Sequence, residues 1–119
     1  MTQFLVELAP RALLEAMDAG EVLLVDVREE AEFAAVRIRG ALNHPLSTFD
    51  PSALLAGADV SRVVLQCGSG KRSAMAAARC RAEGFAVDKH LAGGIQAWAA
   101  AGLPVTDVNA ADDRPGDPD

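Results

Sequence analysis

The sequence predicts an α/β fold, with a small parallel sheet of about five strands flanked by helices on both faces. Three observations carry this. Residues 22–25 (VLLV) and 63–65 (VVL) are apolar runs without alternation, the pattern of strands buried on both sides. Between the runs lie helix start and stop signals, with Pro10 and Gly20 bounding one segment and Asp50-Pro51 opening another. The two patterns alternate along the chain, which implies βα units joined by right-handed crossovers.

Taken in order, Phe4-Leu5-Val6 is a short apolar start. Leu13, Leu14 and Met17 then share one helical face. The strand at 22–25 runs into Asp26-Val27-Arg28, where the chain meets solvent. Residues 29–35 form a short helix candidate, and Ala41-Leu42-Asn43 a short strand. Asp50 is placed to cap a small helix that begins at Pro51 and ends near Leu55. The second buried strand, Val63-Val64-Leu65-Gln66, delivers Cys67. From Lys71 to about Glu83 the chain is alanine-rich and lacks glycine and proline, so it reads as a helix ended by Gly84. Phe85-Ala86-Val87 reads as another strand, Gly93-Gly94 as a turn, and Ile95 to Ala101 as a last helix closed by Gly102.

The chain has 119 residues, half of them hydrophobic, which suits one domain able to bury a core without disulfides or metals. Residues 1–106 are assigned to that domain. Residues 107–119 hold five aspartates and one arginine, so most of the net charge of −6 sits in an acidic tail expected to be disordered. The rest is nearly balanced and has no basic stripe, which argues against nucleic-acid binding. No apolar run reaches membrane-spanning length, and no leader pattern opens the chain. Two cysteines make no disulfide framework, although they suffice for one bridge; the expectation is reduced thiols in a cytoplasmic protein.

The segment Gln66-Cys67-Gly68-Ser69-Gly70-Lys71-Arg72-Ser73 carries the chemistry. In open α/β sheets ligands bind at the carboxyl ends of strands, and Cys67 stands at such an end. Gly68 and Gly70 let the loop curl with N–H groups inward. Together with the start of the next helix these groups make an anion cradle. The same field, with Lys71 and Arg72, stabilises a thiolate and lowers the cysteine pKa. Ser69 and Ser73 add hydroxyl donors. A nucleophilic sulfur facing an anionic substrate follows. The other readings are a small hydrophobe packed under a helix and a loop that binds a nucleotide phosphate without using the thiol. The loop matches neither the dinucleotide fingerprint nor the P-loop spacing.

The stretch from Cys67 to Ser73 resembles the active-site loop of rhodanese sulfurtransferases. Asp26-Val27-Arg28 with Glu32-Phe33, then Gly40-Ala41-Leu42-Asn43, and finally Gly93-Gly94-Ile95 with Trp98, are similar to further family segments and occur in the family's order. The resemblance spans about residues 3–105. It implies that Cys67 takes a sulfane sulfur from thiosulfate or a similar donor. Cys67 would hold it as a persulfide and pass it to cyanide or a thiol. The resemblance also implies that N–H groups of residues 68–72 stabilise the terminal sulfur, that Arg72 and Lys71 orient the anionic donor, and that no metal or organic cofactor is required. Four residues separate Cys67 from Arg72, whereas the related phosphatase and arsenate-reductase loops have five, which disfavours those activities. Two alternatives stay open: a binding module in which the thiol is incidental, and a relay in which a partner protein supplies or accepts the sulfur.

Val36-Arg37-Ile38-Arg39 departs from the family's Gly-His-Ile-Pro, so Arg37 and Arg39 are either solvated surface or a positive rim. Asp26 and Arg28 border the site as supporting residues, chiefly a structural pair bracing the loops. Cys80 is read as packed and inert rather than a resolving thiol. His44 and His90 stand alone at no ligand spacing, and neither receives a metal or catalytic role. Trp98 is read as core.

Overall fold

The computed structural model describes residues 4–107. The elements are β1 (Val6–Leu8), α1 (Pro10–Asp18), β2 (Leu23–Asp26), α2 (Glu30–Ala35), β3 (Val36–Arg37), β4 (Leu42–Asn43) and α3 (Pro51–Leu55). They continue with β5 (Val63–Gln66), α4 (Lys71–Ala82), β6 (Lys89–Leu91), α5 (Gly94–Ala100) and β7 (Thr106–Asp107). Five strands form one parallel sheet in the order β1-β6-β5-β2-β4. β5 is central and buried along its whole length, which is why its sequence does not alternate.

Neighbouring strand residues feed opposite faces of the sheet. Val25, Val63 and Leu65 pack with Leu55 of α3 and with Ala76, Ala77 and Cys80 of α4. Leu24, Val64 and Leu91 pack with Leu13 of α1 and with Ile95 and Trp98 of α5. Helices therefore cover both faces. α4 buries Ser73, Ala76, Ala77 and Cys80, one stripe at helical spacing. Its alanines let the helix approach β5 closely, so the loop that joins them is short and tight. At the start of α3, Asp50 accepts a hydrogen bond from the Ala53 N–H at 3.2 Å, and Pro51 occupies the first helical position.

Three details differ from the sequence expectations. Residues 85–87 are not a strand: the Phe85 N–H donates to the Cys80 carbonyl and Val87 is buried, so these apolar residues seal the end of α4. The strand is instead Lys89–Leu91, whose central residue is a buried histidine. β3 and β7 form an antiparallel two-residue ribbon that no periodicity signals at so short a length. It includes Asp107, the first residue of the segment assigned to the acidic tail; the rest of that segment lies outside the described residues. Among the described residues no helix is long and apolar enough to cross a membrane.

Candidate active site

Cys67 follows the last residue of the central strand, and the chain turns through Gly68, Ser69 and Gly70 into α4. Gly70 takes φ +107°, a left-handed conformation that favours glycine, and caps the helix. This turn aims two main-chain donors at the sulfur. The N–H of Gly70 lies 3.0 Å from Sγ of Cys67 and the N–H of Ser73 lies 3.3 Å from it. The Ser73 hydroxyl oxygen is 3.6 Å away. Burial is the largest single influence on the thiol and pushes its pKa up. Hydrogen bonds from the Ser73 N–H, the Ser73 hydroxyl and the N–H groups of Gly70 and Ser69 outweigh it, so the pKa falls below its ordinary value. Burial, the largest influence on Cys80, pushes that thiol up to about 11.

The cations sit differently from each other. Lys71 is exposed at the first position of α4. Arg72 turns to Glu32, with its two terminal nitrogens 2.7 and 3.1 Å from the carboxylate oxygens. The Arg72 hydrogen bonds hold Glu32 down at about 2. Glu32 also accepts from the Glu29 N–H at 2.9 Å, capping α2, so Arg72 is tethered to a fixed point across the site. Asp26 and Arg28 form a buried pair at 2.8 Å, beside β5 and not on the sulfur. Arg28 reaches the Val36 carbonyl at 2.6 Å. The Asn43 amide donates to the carbonyls of Asp26 and Arg28, joining the ends of β4 and β2 at this end of the sheet.

Three residues of this neighbourhood carry no role in the sequence reading. Glu32 anchors Arg72; its place three residues after Glu29 was the available signal. Gly94 is more than a turn residue. The Ile95 N–H donates to the Cys67 carbonyl at 2.8 Å and the Gln96 N–H to the Gly68 carbonyl at 3.1 Å, so the start of α5 clamps the loop. A Cβ on Gly94 would strike those same carbonyl groups. A glycine pair opening a helix is the signature of such close approach. His90, alone in sequence, lies with Nδ1 2.7 Å from Oγ of Ser73. His44 accepts a hydrogen bond from the Asp50 N–H and packs edge-on against Phe49. Trp98 is core, its indole N–H bonded to the Pro104 carbonyl.

Arg37 lies over the Phe33 ring, and Arg39 borders a cavity of about 380 Å³ with Leu14, Met17 and Trp98, on the α1–α5 side. Both cysteines are free thiols, and no cluster of metal-ligating side chains occurs among the described residues.

The chain is similar to known proteins. The chain is 40% identical over 88 residues to a sulfurtransferase of Allochromatium vinosum, covering 74% of this chain and 81% of that one. It is 42% identical over 94 residues to the probable adenylyltransferase/sulfurtransferase MoeZ of Mycobacterium tuberculosis, covering 77% of this chain and 24% of that protein. The chain spans little more than half, or less, of the length of several curated relatives it matches. The solution structure of the rhodanese-like domain of an Anabaena protein superimposes with a TM-score of 0.74 at 22% identity, over 95% of this chain and 86% of that domain, a likeness of fold. The rhodanese-like domain family matches residues 9–101, and with the sheet order and the cysteine loop at the end of β5 in place, the chain belongs to that family.

Proposed function

We propose that this chain is a sulfurtransferase that carries sulfane sulfur as a persulfide on Cys67. The observation that carries the proposal is the convergence of the Gly70 and Ser73 N–H groups on Sγ at the head of α4. Such preorganised donors stabilise a thiolate before reaction and a terminal persulfide sulfur after it. In the first half-reaction the thiolate attacks the outer sulfur of thiosulfate. The new S–S bond forms as the old one breaks, and sulfite leaves with the bonding electrons. In the second, cyanide or a thiolate attacks the outer persulfide sulfur and Cys67 departs as thiolate. Lys71 and Arg72 orient the anionic donor, Arg72 from its tether on Glu32, while Gly68, Ser69 and Ser73 complete the oxyanion loop. Asp26 and Arg28 hold the loop's surroundings.

Two covalent half-reactions require ping-pong kinetics. Thiocyanate formation from thiosulfate and cyanide should give parallel double-reciprocal lines, and Cys67→Ser should abolish it. Intersecting lines, or turnover that survives the substitution, would refute the proposal. A relay fed by a partner protein is the second reading, favoured by the match to a segment of MoeZ, a probable adenylyltransferase/sulfurtransferase. Both readings suit a cytoplasmic setting in which Cys67 and Cys80 stay reduced.

A further inference from the structure

Cys67 is fully buried, yet its chemistry begins with loss of a proton. The donors that stabilise the thiolate cannot remove that proton, because N–H groups only donate. An acceptor path does leave the sulfur. Oγ of Ser73 lies 3.6 Å from Sγ, and Nδ1 of His90 lies 2.7 Å from that oxygen. Oγ is also 3.1 Å from the Gly70 carbonyl, which fixes its position. On the far side of the ring, Nε2 of His90 is 3.1 Å from a carboxylate oxygen of Glu7, close but without hydrogen-bond alignment. The sheet register makes this contact, since β1 sets Glu7 directly beside His90 of β6. Ser73 and His90 are buried, whereas the Glu7 side chain is 61% exposed at the edge strand.

Resting on the reading that Cys67 reacts as a thiolate, we propose that Ser73, His90 and Glu7 are a proton relay leading from the buried sulfur to solvent at the sheet edge. The neutral imidazole begins with its proton on Nε2. The Cys67 S–H proton passes to Oγ of Ser73 as the Ser73 hydroxyl proton passes to Nδ1 of His90. The products are a thiolate, an unchanged serine and an imidazolium facing the Glu7 carboxylate, so one proton has moved and charge balances. Other ionisable groups do not share the task. β5 and α5 contribute none. Lys71 is exposed, Arg72 is bound to Glu32, and Lys89 turns to Asp88 and the Ser61 carbonyl. Ser73 and His90 are thus positioning residues for the Cys67 proton.

The test is the pH profile of Cys67 alkylation by iodoacetamide in the full chain. Ser73→Ala keeps the main-chain N–H on the sulfur but removes both the hydroxyl's hydrogen bond to Sγ and the relay, so its alkylation midpoint should rise by about one pH unit, with roughly tenfold slower reaction at pH 7. His90→Asn leaves that hydroxyl in place and cuts the relay alone, so it should shift the midpoint in the same direction by part of that amount, and the exposed substitution Glu7→Gln by less. Profiles of His90→Asn and Glu7→Gln that overlay the unsubstituted protein would overturn the relay. Alkylation does not depend on sulfur transfer. A protein without thiosulfate–cyanide turnover that still shows these shifts supports the relay and refutes the transferase reading.

Discussion

Replacing Gly94 with alanine should damage the fold and the sulfur site together. The residue takes φ +61°, where a non-glycine residue costs about 1 kcal/mol. Its new Cβ would lie inside contact distance of the Cys67 carbonyl oxygen and 2.6 Å from the carbonyl carbon and oxygen of Gly68. All of these are backbone atoms, so no side-chain rotation relieves the overlap, and overpacking of this kind costs about 1–3 kcal/mol. Separating α5 from the loop also weakens the Ile95 and Gln96 hydrogen bonds, at about 1 kcal/mol each. The expected loss is about 4–6 kcal/mol. Gly102, at the other end of the same helix, has φ +79° but nothing within 4 Å of an added Cβ, so Gly102→Ala should cost only about 1 kcal/mol. Urea unfolding of the two variants isolates the clamp. Alkylation of Cys67 should slow by roughly tenfold in Gly94→Ala alone, because a displaced loop no longer aims its N–H groups at Sγ. Equal stability and equal reactivity of the two variants would refute the argument.

Other substitutions separate the remaining contributions. Cys80→Ala should leave Cys67 alkylation unchanged at pH 7 and cost about 1–2 kcal/mol by urea unfolding, since Cys80 is buried and its pKa is pushed up to about 11. Glu32 has its pKa depressed from near 4.5 to about 2, so its contribution is full above pH 4.5 and disappears as pH falls through 2. With its side chain 41% exposed the pair is partly screened, so Glu32→Gln should flatten that acid limb by about 1 kcal/mol in pH-dependent unfolding. Asp26→Asn leaves Arg28 buried without its carboxylate and should cost about 3–5 kcal/mol, read from the urea midpoint.

What was legible in the sequence was what one stretch of chain encodes alone. β2 and β5 announce themselves because strands buried on both faces need apolar residues at every position, and the alanine-rich helix α4 and the Asp50 cap follow from local chemistry. The place of Cys67 at the end of β5 follows from the same run. Contacts that depend on register are silent: nothing near Lys89 or Leu91 marks His90 as facing Ser73, and nothing near Val6 sets Glu7 beside it. Phe85 and Val87 misled because a strand and a helix seal both require apolar residues. The Arg72 tether was silent for the same reason, since its partner Glu32 stands forty positions away.

The most direct test uses one half-reaction alone. The protein is incubated with thiosulfate, with no acceptor present, and its intact mass and the sulfite released are measured. The account predicts one added sulfur per chain, located on Cys67, with equimolar sulfite, and loss of that sulfur as thiocyanate when cyanide is added. An unchanged mass with no sulfite released, or a sulfur that remains on the chain after Cys67→Ser, would contradict it.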